Sequence, residues 1–125
     1  MNEVWNPHEQ RDGPLSIRAE ESADGGILLA LSGELDLENA ETLAAEIAKT
    51  EAGVNGALTI DLGALVFIDS TGVALLVSVF RRFNAAGGQL RLLPSRTAAV
   101  RKVMELTGLD RTLPFVEGER GSGVS

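Results

Sequence analysis

The sequence contains no cysteine. That absence excludes disulfides, thiolate metal sites and cysteine nucleophiles together, and it fits a reducing, cytoplasmic compartment. Tyrosine is also absent, and aromatics make up only 4% of the chain. The core is therefore expected to be aliphatic, built from Leu, Val, Ile and Ala. There is one histidine, His8, so Ser–His chemistry has a single candidate base. Residues 1 to 14 lack the basic start and apolar centre of a signal peptide. No apolar run approaches ~18 uninterrupted residues, so no membrane insertion is expected. Basic residues are scarce in one part of the chain. Residues 1 to 80 hold 3 basic and 14 acidic side chains, a net of −11, whereas residues 81 to 125 hold 8 and 4, a net of +4. The total of −7 repels phosphates and argues against direct nucleic-acid binding. It suits a solvated acidic surface or charge-steered docking to a protein.

What is present is a single domain's worth of chain, 125 residues with a 44% hydrophobic fraction, enough to bury a core without staples. Residues 1 to 13 read as a flexible arm, 14 to 117 as the folded domain and 118 to 125 as a flexible, Gly/Ser-rich tail. Leu15, Ile17 and Ala19 alternate with polar residues, which predicts a strand. Asp24-Gly25-Gly26 predicts a turn, and Ile27 to Leu31 a second strand closing a hairpin. Leu37, Ala40, Leu43, Ala44, Ile47 and Ala48 form a helical stripe, with Glu38, Glu41 and Glu46 off it. Gly53 and Gly56 bracket a loop, and residues 57 to 62 read as a buried strand. Residues 70 to 84 predict a central helix stopped by Gly87-Gly88. Residues 89 to 93 predict a strand, 97 to 106 a helix, and 113 to 116 a last short strand. The fold class is α/β: a small mixed β-sheet with helices packed on one side, built of βαβ units after an N-terminal hairpin.

The chemistry concentrates in "FIDSTG", residues 67 to 72. Ser70 as a nucleophile needs a base within reach, and His8 sits in the arm, where nothing is expected to pin it. No paired catalytic Asp, P-loop, G-x-S-x-G or H-E-x-x-H is present. A carboxylate-only site of Glu34, Asp36 and Asp69 has no metal-ligand spacing to support it, so catalytic residues, metals and cofactors are all expected to be none. Two readings remain for this segment. Asp69 or Ser70 caps the helix that follows, with Gly72 allowing close approach. Alternatively, Ser70 is a phosphorylation site, where a charge of about −1.5 to −2 meets a helix N-terminus. Beside Asp69 and Asp36 such a charge would disfavour docking without unfolding the domain.

Three segments carry a family resemblance. "LSGELDLENAETL" (31–43), "LTIDLGALVFIDSTGVALLV" (58–77) and "VRKVMELTGLDRTLPFVE" (100–117) resemble, in order, segments of STAS domains, specifically bacterial anti-sigma-factor antagonists. The resemblance covers roughly residues 14 to 117. It implies partner switching. The unphosphorylated protein binds an anti-sigma factor that is also a serine kinase and frees the sigma factor; phosphorylation releases it, and a serine phosphatase resets it. It implies Ser70 as acceptor; Thr71, which departs from the family by standing where serine is common, is a second possible acceptor. It implies partner contact through Asp36, Asp69, Ser70, Thr71 and Gly72. STAS domains also serve as accessory subunits of lipid-transport ABC systems, binding the ATPase, and that is the alternative function.

Overall fold

The computed structural model describes residues 8–22, 25–53 and 57–116. The expected turn at Asp24, the loop to Gly56 and the tail at 118–125 fall wholly or partly outside them. Five strands form one sheet in chain order: β1 (His8–Asp12), β2 (Leu15–Glu21), β3 (Ile27–Leu35), β4 (Ala57–Ile68) and β5 (Gln89–Leu93). β1, β2 and β3 are antiparallel neighbours, while β3–β4 and β4–β5 are parallel. Each parallel step is spanned by a helix, α1 (Ala40–Gly53) and α2 (Ser70–Ala86), as βαβ geometry requires. α3 (Ala98–Leu106) and a four-residue α4 (Leu109–Thr112) follow. This is the mixed α/β sheet that the sequence predicts.

Register gives the sheet one buried face. Ile17 lies opposite Leu31, Leu29 opposite Ile60, and Ile60 opposite Leu92. All five are buried in one cluster with Leu43 and Ile47 of α1, Leu76, Val79 and Phe83 of α2, and Val100 and Met104 of α3. α2 ends at Gly87 in the left-handed region (φ 77°), whose N–H reaches back to Asn84 O at 3.3 Å. Gly33 is also left-handed (φ 94°), and a Cβ there would lie 1.8 Å from the Pro14 carbonyl oxygen. That oxygen accepts from Glu34 N–H at 3.2 Å, so glycine lets β3 pass close under the β1–β2 turn.

Four sequence expectations are corrected. Residues 8–12 are not a loose arm: they pair with β2 from His8↔Ala19 to Asp12↔Leu15. The sequence HEQRD lacks the apolar alternation that marks a strand, because an edge strand with an exposed outer side needs little of it. His8 is pinned, with Nε2 2.7 Å from Glu46 Oε1. Glu46 accordingly does not lie off the buried stripe of α1; it is only 3% exposed, and Lys49 Nζ donates to its other oxygen at 3.1 Å. Leu37 precedes α1 and is exposed rather than part of the stripe, and Ala48 is exposed as well. The expected strand at 113–116 is reduced to a bridge, Leu92↔Phe115, framed by Leu92 N–H to Pro114 O and Val116 N–H to Leu92 O.

Candidate functional site

The site lies at the carboxyl ends of the adjacent parallel strands β3 and β4, where Leu35 pairs with Ile68. In a parallel α/β sheet this is the end where loops gather functional groups. β4 leaves the sheet at Asp69, which is extended (φ −105°, ψ −176°) and caps α2. Asp69 holds the corner with three bonds. Its N–H donates to Leu35 O at 3.2 Å. Its Oδ1 accepts from Gly72 N–H at 3.0 Å, and its Oδ2 accepts from Leu37 N–H at 3.1 Å. One carboxylate thus satisfies a donor of the α2 first turn and a donor of the β3–α1 turn.

Asp36 sits between the two residues tied to Asp69. Its Oδ1 accepts from Glu38 N–H at 3.0 Å, and its carbonyl accepts from Ala40 N–H at 3.0 Å. Asn39, buried and unremarked in the sequence, locks this turn: Oδ1 accepts from Asp36 N–H and Nδ2 donates to Glu34 O, both at 2.9 Å. The Asp36–Asn39 spacing just ahead of the helical stripe is a local signal that could have identified it. The carboxylates of Asp36 and Asp69 are both engaged by backbone N–H groups, so they shape the loops rather than converge on a shared cation.

Ser70, the first residue of α2, is exposed, and Thr71 is half-buried. Gly72 is buried against Ile68 and Leu35; a Cβ there would lie 2.8 Å from Ile68 Cγ1 and 2.9 Å from Leu35 Cγ. The glycine lets the first turn of α2 sit directly on the strand ends, which fixes where Ser70 emerges. Asp36, Asp69, Ser70, Thr71 and Gly72 are thus brought together at one corner. His8 is engaged with Glu46 of α1, and no histidine serves Ser70. What the corner offers chemically is an accessible hydroxyl on a rigid helix start, set among carboxylates.

This architecture has known counterparts. The STAS-domain profile matches residues 16–120. The anti-sigma-F factor antagonist RsfB of Mycobacterium tuberculosis is 31% identical over 90 residues, 71% of each chain. The crystal structure of an anti-sigma factor antagonist from Mycobacterium paratuberculosis superposes with a TM-score of 0.71 at 31% identity, covering 81% of this chain and 84% of that one. The anti-sigma factor antagonist SpoIIAA superposes in its unphosphorylated form with a TM-score of 0.69 at 27% identity, covering 83% and 89% of the two chains. In its phosphorylated form, from Bacillus, the values are 0.64, 26%, 83% and 92%. Matched along most of its length in both sequence and structure, the chain belongs to the STAS domain family.

Proposed function

We propose that this protein is an anti-sigma-factor antagonist that works by partner switching at Ser70. Unphosphorylated, it binds an anti-sigma factor that is also a serine kinase, and the sigma factor is freed. Phosphorylation of Ser70 releases the antagonist, and a serine phosphatase restores it. It is a binding module rather than an enzyme, and it works in the cytoplasm, where sigma factors act. The observation that carries this reading is the exposed Ser70 hydroxyl at the start of α2, beside a fully engaged Asp69.

The physics favours a switch there. A phosphate on Ser70 adds about −1.5 to −2 charges at a helix N-terminus, whose first N–H groups and dipole favour an anion. The fold tolerates it. A partner fitted to the neutral hydroxyl does not, because Asp36, Glu38 and Asp69 already make the surroundings acidic. The existence of SpoIIAA structures in both states supports a two-state reading of this corner.

The test is capture from native cytosol with wild type, Ser70→Ala and Ser70→Glu, with phosphosite mapping. Wild type and Ser70→Ala should capture an ATP-binding serine kinase, Ser70→Glu should not, and phosphate should appear on Ser70. Phosphate retained on Thr71 in Ser70→Ala would move the acceptor by one residue. Equal capture of a transporter ATPase by all three would replace the reading with the lipid-transport function.

A further inference from the structure

Among the described residues four large apolar side chains are well exposed: Leu37 (71%), Val66 (51%), Phe67 (46%) and Leu106 (77%). Single exposed apolar residues are ordinary. Three of these are not scattered: Val66 and Phe67 belong to the last residues of β4 and Leu37 follows the end of β3 by two residues, so all three lie at the carboxyl ends of these paired strands. Phe67 lies opposite Glu34, and Gly33 opposite Leu65, so Val66 is the extra residue of a bulge in β4. Bulges re-aim side chains next to functional sites. Leu37 is held through its N–H by Asp69, the cap that presents Ser70.

The surroundings carry one sign of charge. Glu34, Asp36, Glu38 and Asp69 border these residues in the chain. Residues 19–48 and 50–80 contain no Lys or Arg at all, so β3, the turn after it, β4 and the first part of α2 are free of positive charge. An apolar centre with an acidic border is complementary to an apolar recess bordered by Lys and Arg.

We infer that Leu37, Val66 and Phe67 are the apolar anchors through which this protein grips its partner, an anti-sigma serine kinase presenting such a basic-rimmed recess. This rests on the partner-switching reading and divides its labour. The anchors hold the complex, the acidic border steers encounter, and Ser70 decides release. Anchors buried at the centre of an interface carry a disproportionate share of affinity, and border charges act mainly through the on-rate. Asp69 keeps Leu37 ordered before the partner arrives, which lowers the entropic cost of docking.

The experiment uses the full chain and a purified anti-sigma serine kinase encoded in the same genome, with affinity measured by calorimetry without ATP. Leu37→Ser and Phe67→Ser should each weaken binding at least tenfold, while Leu106→Ser, the more exposed leucine at the end of α3, should bind like wild type. Glu38→Gln should flatten the dependence of the on-rate on salt. Thermal melting checks that each variant is folded; Leu37→Ser alone suffices if Phe67→Ser is not. If wild type binds but Leu37→Ser binds within twofold of it, the anchor assignment is wrong while partner switching stands. An equal loss in Leu106→Ser also overturns the assignment. If wild type binds no such kinase, partner switching fails and takes the anchors with it.

Discussion

Two glycines and one carboxylate do most to position the candidate site. Gly72→Ala forces a methyl into a contact under 3 Å with buried Ile68 and Leu35 side chains. Overpacking of this kind costs about 1–3 kcal/mol, and urea denaturation should show a lowered midpoint. Gly33→Ala should be worse, because its methyl meets backbone, the Pro14 carbonyl, at a residue whose φ of 94° already disfavours a side chain. Asp69→Ala removes the α2 cap, a loss of about 1 kcal/mol or somewhat more, and also releases the Leu37 N–H. Hydrogen exchange at the Leu37 amide should rise in Asp69→Ala and in Asp69→Asn. An Asn side chain has one acceptor oxygen and cannot serve both N–H groups in the same way. The two sequence readings of "FIDSTG" thus fall on different residues. The cap is Asp69, which leaves the Ser70 hydroxyl uncommitted to capping.

At the scale of elements, β1 is the strand most dependent on side chains. Thr42 Oγ1 donates to Asp12 Oδ2 at 2.6 Å, and His8 meets Glu46 at 2.7 Å, so both ends of β1 are fastened to α1. Thr42→Val should cost about 0.5–1.5 kcal/mol and speed amide exchange in β1, while β3 and β4 stay protected. β1 also responds to acid. The Ser16 hydroxyl, donating at 2.6 Å, and then Arg11 hold the Glu9 carboxyl below its usual value of 4.5. A lowered folded pKa stabilises above the ordinary value and is lost as pH falls through the lowered one. Protection of the β1 amides relative to those of β3 and β4 should therefore fall as pH drops through that range, less so in Ser16→Ala. The strand was hidden in the sequence because its stability comes from polar partners 7 to 38 residues away, which no local pattern reports. The three longer helices were legible by their helical spacing or their glycine stops, and β2 and β5 by alternation, while β3 and β4 were read as aliphatic runs to Leu31 and Leu62 and in fact continue to Leu35 and Ile68. α4 was not legible, since four residues are too few to display a period. Leu37 misled for a related reason: it fits the α1 stripe in spacing, but it lies within the Asp36–Asn39 turn, and the helical register begins only at Ala40.

For the molecule as a whole, β2 to β5 and the three longer helices share one core cluster, so their unfolding should be a single cooperative transition, with far-UV circular dichroism and calorimetry giving the same midpoint. The corner at Ser70 was legible as a composition, an acid followed by hydroxyls and glycine, but its surroundings were not. Leu37 comes to that corner only once β3 and β4 are paired, through its bond to Asp69. The fastening of β1 has a consequence for solubility. At the far side of the sheet, residues 114–116 bond to Leu92 of β5 on both its N–H and its carbonyl. At the near side, β1 ends the ladder with Glu9, Gln10 and Arg11 exposed. Charged edge strands discourage copies from joining edge to edge. A chain beginning at Pro14 would present β2 in its place, with an open ladder and Leu15, Ile17 and Ala19 close behind it. Light scattering should find that shortened protein self-associating at concentrations where the full chain does not, and β1 is then what keeps a regulator of this size available to partners other than itself.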